Sequence, residues 1–453
     1  MNEAADPTEK KIIKKHPMLV VLGTRNLRFL WLGQAIAVLG SQFYLIALPW
    51  LVLQLTGDPF QMGTVLAVAG IPRAIFMLVG GVFTDRFSPR TMMIYANLAR
   101  MLVLAALTVL VLHFSVSIWM IYALSLVFGL ADAFYYPAQS SIMPRIVDSE
   151  LLLAGNSIVQ GTVQLSIAAG PALAGALIAF FSRANSTLAV NTAKVDLLGI
   201  GMAFGFNTVA YCFSILMFWL ISLDKGTTET SDESGQTGTM AFLKEGLTYV
   251  FKDPTLRLLL LVTSVSHFLV EGPLFIGIPV LAKTVLPEGA AAYGIIMSGL
   301  GAGMLIGIIL AGFLPKLPPD RMGTILLLVL SSSGFELMTV GYMPNTISVA
   351  LVVMFMGAAQ GYVVIQYSTW MQIRTPKPIL GRVLSMMMFA SVGLIPVSQA
   401  LCGALIKLSL PGLFLGAGII LTVINLIVAT RPSIRNMGLA IVDKASEPLS
   451  PSS

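Results

Sequence analysis

The sequence predicts an all-α membrane protein of twelve transmembrane helices in two six-helix repeats, with both termini cytoplasmic. Apolar segments of about twenty residues recur twelve times between Phe29 and Thr430. About 20 mainly apolar residues suffice to cross a hydrocarbon core of about 30 Å. The chain is 56% hydrophobic and only 11% charged, too little charge to cover a soluble surface, where about 25% is usual. Lys and Arg are also distributed unevenly. With cytoplasmic termini, 21 of the 27 fall in the tails, inner loops or inner helix ends. Four lie outside (Arg183, Lys194, Lys283, Lys407) and two within spans (Arg73, Arg100). Basic residues stay on the cytoplasmic side during insertion, so this bias orients the chain.

The elements follow in order. Residues 1–28 form a cytoplasmic tail in which Lys10, Lys11, Lys14 and Lys15 anchor the first span and can touch anionic lipid. The first bundle, 29–222, holds spans at 29–54, 61–84, 91–113, 116–139, 157–181 and 199–222. The longest polar stretch follows, a cytoplasmic linker at 223–255. Its start, rich in Ser, Thr and Gly, is a flexible connector. Leu243, Leu247, Val250 and Phe251 at helical spacing then predict a short surface helix. The second bundle, 256–430, holds spans at 256–282, 291–314, 322–343, 346–370, 382–407 and 411–430, and 431–453 form a cytoplasmic tail. The first apolar run leads directly into further spans, which does not fit a cleavable signal peptide.

Several function classes are excluded. The formal charge of +6 is topogenic and does not mark a nucleic-acid surface. No Gly-Lys-Ser/Thr phosphate loop is present, so ATP is not the energy source. No His, Cys and carboxylate cluster has metal-ligand spacing, and Cys212 and Cys402 both sit within spans. No catalytic constellation, cofactor site or metal site is expected.

The two bundles echo each other. Gly81-Val-Phe-Thr-Asp85-Arg86-Phe-Ser-Pro-Arg90 after span two is matched by Gly312 to Arg321 after span eight, and Gly175-Ala-Leu-Ile in span five by Gly403-Ala-Leu-Ile in span eleven. The offsets are 231 and 228 residues. On these motifs the chain resembles the major facilitator superfamily, in the twelve-helix efflux branch that includes macrolide exporters and the enterobactin exporter. The resemblance runs from Asn26 to about Arg431. It is supported by Leu53-Gln-Leu-Thr56-Gly57, Pro72-Arg73, Tyr136-Pro137-Ala138, Glu245-Gly246-Leu247, Asp253-Pro254 and Gly381-Arg382-Val383. The chain departs from the family pattern at Pro89, where a basic residue is usual, and at Lys316, which stands where the first half has Asp85.

The resemblance implies that Gly81, Asp85, Arg86 and Arg90 form a conformational latch. Glycines there let a neighbouring helix approach closely. Asp85 would sit at the start of span eleven near Arg382, and Arg86 and Arg90 would pair with acids at the inner end of span four. It also implies that spans one, four, seven and ten line a central cavity. Ionisable groups within spans are costly and point to function. Glu271 is the strongest candidate for proton coupling or substrate contact, since Gly272, Pro273, Gly277 and Pro279 weaken the helix just beyond it. His267 lies four residues earlier on the same helical face. Asp132 is expected either to pair with Arg86, Arg90 or Arg100 or to relay protons, and Arg73 to pair with a carboxylate or hold an anionic group. Gln34, Gln42, Tyr135, Gln360, Gln366 and Tyr367 are cavity candidates. Gly170, Pro171 and Gly175 in span five, with Gly299, Gly303 and Gly307 in span eight, are expected to let spans five and eight pack tightly.

The expected function is secondary export of amphiphilic drugs or natural products, macrolide- or siderophore-like, by proton antiport with alternating access. The cell location is an integral plasma membrane protein of the bacterial inner membrane. Protons, a small amphiphilic substrate and membrane lipid are the expected partners of a monomer. A lipid or lysophospholipid translocator, an importer, or a non-transporting receptor or assembly factor remain open from the residues alone.

Overall fold

The computed structural model describes residues 20, 23–86, 88–147, 151–186, 192–222, 247–315 and 317–439. The tails up to residue 19 and beyond 439, the linker to 246, and Lys316 lie outside these. Among the described residues there is no strand. The long helices are α1 Arg25–Thr56, α2 Pro59–Arg86, α3 Pro89–Leu112, α4 Ile118–Ile142, α5 Leu152–Ser186 and α6 Thr192–Trp219 in the first half. In the second half α7 runs Pro254–Thr284. It is followed by α8 Ala290–Phe313, α9 Met322–Val340, α10 Thr346–Arg374, α11 in two pieces (Lys377–Val392 and Ile395–Leu405) and α12 Leu410–Ala429. Each apolar segment of the sequence overlaps one of these helices. Eleven, all except α2, are long and apolar enough to cross a membrane over their described residues.

Local chemistry sets the helix ends. Proline opens α2, α3 and α7, where its missing N–H costs nothing and its fixed φ suits the first turn. Asp253 caps α7 by accepting from the Thr255 and Leu256 amides at 2.8 and 3.2 Å, and its carboxylate also pairs with Arg374 of α10. Asn345 caps α10 through the Ser348 amide at 2.8 Å. Gly57 ends α1 at φ 64°, a left-handed conformation that glycine adopts without strain. Of the expected surface helix before α7, residues 247–252 are helical; Val250 is buried while Leu247 and Phe251 are exposed.

Within the first half α1 packs on α5 and α6, α3 on α4 and α6, and α2 on α4; within the second, α8 packs on α10 and α9 on α12. The halves meet along two seams, α5 with α8 and α2 with α11. One expectation is corrected here. The ridge Gly299, Gly303 and Gly307 faces α10, not α5: a Cβ on Gly299 would stand 2.7 Å from the Ala350 carbonyl. The α5–α8 seam instead joins Gly175 to Ala290 and Gly294, where a Cβ on Gly175 would stand 2.6 Å from the Ala290 carbonyl. The Pro171 carbonyl faces Gly294 in this seam, while Gly170 packs under Gln42 of α1. Sequence spacing marks a small-residue ridge but not its neighbour.

The start of α1 and the end of α12 define a near face; the α1–α2, α7–α8 and α11–α12 loops define a far face. The buried apolar residues divide along this axis. Toward the far face one continuous core takes residues from both halves, among them Ile46, Trp50, Leu107, Ile178, Ile278, Tyr293 and Phe414. Toward the near face each half has its own core, one around Leu30, Met93 and Phe218 and one around Val250, Trp370 and Met387. The halves are joined far and separate near.

Candidate functional site

Between the halves lies a cavity of about 1360 Å³, large for a small-molecule site. Its lining runs from Leu48, Pro49 and Gln399 down to Leu30, Ser140, Met143, Asn156 and Ser385 at the near ends of α1, α4, α5 and α11. Most of the wall is apolar or aromatic. Among the described residues four ionisable side chains line it: Arg73, Arg100, Asp132 and Glu271.

Three of the four form one cluster on the first half. Asp132 on α4 takes Arg100 of α3 on one carboxylate oxygen and Arg73 of α2, at 3.6 Å, on the other. Arg100 is locked in place. It is 4% exposed, stacks 4.2 Å from the Tyr135 ring centroid, and donates to Asn97 Oδ1 at 3.2 Å. Asn97 in turn donates to Ser214 of α6 at 3.0 Å. Buried ions persist only when paired and hydrogen-bonded, and this network supplies both. Arg73 is held by less: its side chain is 33% exposed against 5% for Arg100. The alternative pairing of Asp132 with Arg100 is thus the one formed, and Arg73 joins it as a further partner.

Glu271 stands on the second half, on α7 just before the π-helical stretch Pro273–Gly277. Pro273 has no N–H and its ring clashes with the carbonyl four residues back, so the regular ladder widens there. Gly272 leaves room for α11, whose Ser398 hydroxyl donates to the Phe268 carbonyl. The second piece of α11 begins at Ile395, at this level. His267 accompanies Glu271 on α7 but sits against its own Thr263 carbonyl at 2.9 Å and is not among the lining residues.

Gln34, Gln42 and Tyr135 line the cavity as expected from their spans. Gln360, Gln366 and Tyr367 are not among the residues that line it; the Tyr367 hydroxyl donates to Met387 Sδ of α11 at 3.1 Å. In the latch segment, Gly81, Asp85 and Arg86 fall on the helical end of α2, with side chains outside the described residues. Arg90 donates from Nε to the Phe218 carbonyl at 3.0 Å and from Nη2 to that of Trp219 at 2.5 Å. It satisfies free carbonyls at the end of α6, where a cation also meets the helix dipole favourably. Asp148 and Glu150, the nearest acids after α4, lie outside the described residues.

Two contacts escaped the sequence reading. On the far face Lys407 pairs with Asp58 at 3.0 Å, and Lys283 Nζ donates to the Leu53 carbonyl at 2.5 Å. Each crosses between the halves, and the Tyr293 hydroxyl reaches the Leu45 carbonyl at 3.4 Å beside them. A signal was present, since Lys283 and Lys407 are two of only four basic residues assigned to that face.

Two apolar helical bundles around a central cavity, with charge kept inside it, define a membrane transport protein. The chain belongs to the Major Facilitator Superfamily, whose family model matches residues 30–398. It is 24% identical to the multidrug efflux pump Tap of Mycolicibacterium fortuitum, over 94% of this chain and 98% of that protein. It is also 24% identical to macrolide efflux protein A of Streptococcus pyogenes, over 38% of this chain and 43% of that one. Among solved structures, a bacterial homologue of the iron transporter ferroportin, inward-facing, superposes with a TM-score of 0.67 at 16% identity, covering 90% and 99% of the two chains. A D-xylose–proton symporter matches with the same TM-score at 13% identity, over 89% and 96%. These structures are similar in fold. The protein is a transporter of a small molecule and an integral membrane protein, not an enzyme.

Proposed function

We propose that the chain exports amphiphilic drugs or natural products from the cytoplasm by alternating access, driven by proton entry, as a twelve-span monomer of the bacterial inner membrane with both termini cytoplasmic. The observation that carries this reading is the cavity of about 1360 Å³, apolar over most of its wall and reaching the near face while the far face is closed. On this orientation it is a pocket that loads from the cytoplasm. The similarity to Tap and to macrolide efflux protein A supports export as the direction. Glu271 is the proton-coupling group: among the described residues it is the one carboxyl that the second half contributes to the lining, it stands beside a local break in α7, and an ionisable group within a span is costly and is kept where it serves function. Asp85 and Arg86 hold the near face shut in the opposite state.

The test is a panel of macrolides, lipophilic cations and siderophores in an efflux-deficient bacterium. Wild type is compared with Glu271→Gln and Asp85→Asn at matched expression. Wild type should lower accumulation of at least one compound, and Glu271→Gln should lose that effect together with its pH dependence. Export that is unchanged in both variants would overturn the assigned mechanism; no export of any compound would turn the reading toward lipid translocation or uptake.

A further inference from the structure

The charges on the cavity wall do not cancel within the first half. Among the described residues Asp132 is the single carboxylate facing two guanidiniums, those of Arg73 and Arg100. Arg100 is stacked, hydrogen-bonded and almost fully buried. Among the described residues Arg73 has a single ion-pair contact, at 3.6 Å, and its side chain is one-third exposed on the cavity wall. A guanidinium carries five donors in a planar fork that matches carboxylate, sulfonate or phosphate oxygens. Most of Arg73's donors are therefore left for something in the cavity. Among the described lining residues, four further polar atoms are buried without a hydrogen-bond partner: the Tyr44 hydroxyl, Arg100 Nε, the Tyr135 hydroxyl and Gln34 Oε1, the last two in residues only 4% and 2% exposed. Buried polar groups are rarely left unpaired. The Tyr135 hydroxyl can donate, and the Gln34 amide carries an N–H₂ beside its free oxygen. The opposite wall supplies apolar surface from Phe275, Met388 and Phe389.

We propose that this wall is an anion subsite: the cargo is an amphiphile with a carboxylate, sulfonate or phosphate group, which pairs with Arg73 while its apolar body lies against α7 and α11. The subsite rests on reading the cavity as the transport site. The cargo's anion competes with Asp132 for Arg73. Arg100 keeps Asp132 paired when the anion takes Arg73 away, so no carboxylate is stranded. Gln34 accepts from any hydroxyl or amide beside the anionic group.

The test uses the purified full chain in lipid nanodiscs and three radiolabelled probes: taurocholate, the uncharged methyl ester of cholate, and tetraphenylphosphonium. Taurocholate should bind at least about tenfold more tightly than the ester, the size of one charge-assisted hydrogen bond. Arg73→Gln should remove that preference, bringing taurocholate affinity down to that of the ester, and Arg73→Lys should restore part of it. Equal binding of taurocholate and ester by wild type, or a preference that survives Arg73→Gln, overturns the subsite. Export of tetraphenylphosphonium in cells with no anion preference in the nanodisc leaves the export reading standing and removes the subsite. Anion-selective binding without export of any probe does the reverse.

Discussion

The two halves share one helical plan and put it to different use. The first half lines the cavity with unbroken helices and one charge cluster, in which Arg100 and Asp132 hold each other and Arg73 joins from the cavity side. The second half lines it with two interrupted helices and one carboxyl. Its α7 passes through a π-helical stretch at Pro273–Gly277 beside Glu271, and its α11 is divided before Ile395. A set of buried charges that hold each other demands a rigid frame, because each loses its partner if a helix shifts. A lone carboxyl next to a weakened ladder makes no such demand. One repeat unit has become a fixed wall and the other a wall that can flex.

Breaking the fixed wall should have the largest effect. Asp132→Ala leaves Arg100 buried with no counter-charge, which costs about 3–5 kcal/mol; thermal unfolding in detergent should show a large loss of stability or no folded protein at all. Normal stability would mean that the cluster does not hold the first half. The matching change in the flexible wall, Glu271→Gln, should leave stability almost untouched while cutting proton-coupled transport by at least about tenfold, equivalent to about 1.4 kcal/mol. Proteoliposome flux against an imposed pH gradient measures this. If both variants fail in the same way, the contrast between the halves is wrong.

Smaller effects sharpen the contrast at the edges. Asp253 is partly buried, which alone would raise its pKa, but the bond from Arg374 and the two α7 amides hold it below the usual carboxylate range. A lowered folded value means that its contribution is present at neutral pH and is lost as pH falls through that value. Asp253→Ala should therefore cost about 1 kcal/mol near neutrality through the lost cap, and the gap to wild type should close in acid. On the far face Asp58 is also held below its usual range: burial opposes this, but Lys407 and the backbone amides of Phe60 and Gln61 together outweigh it. The pair is exposed to water, so Asp58→Asn should cost less than about 1 kcal/mol and less still at high salt. Its readout is a shift toward far-face opening, measured by distances between spin labels on the α1–α2 and α11–α12 loops.

Much of this architecture is legible in the chain. Apolar runs of span length with polar breaks are an unambiguous physical signal, and the helices follow them. Arg73, Arg100, Asp132 and Glu271 stand out because each is a charge in an apolar run. The Gly272-Pro273 pair marks the interruption of α7 because a proline cannot complete the ladder. What the chain does not carry is which faces meet. Arg73 and Asp132 are brought together by the packing of α2 on α4, and no local pattern encodes that. For the same reason the glycine ridge of α8 turned out to serve α10. Gln360 and Tyr367 share a helical face, but the rotation of α10 keeps that face from the cavity lining. Arg90 reads as a partner for acids, yet the end of α6 offered unpaired carbonyls nearer by.

The core shared by both halves at the far face has a thermal consequence. Beyond Lys407–Asp58, Lys283–Leu53, Tyr293–Leu45 and the Ala172 amide that donates to the Ser298 hydroxyl, that seam is held mostly by apolar contact among the described residues. Opening it exposes hydrocarbon surface to water and so carries a positive heat-capacity change. Apolar contact weakens on cooling. The balance between the two orientations of the cavity should then drift with temperature, with cold favouring the one that opens at the far face.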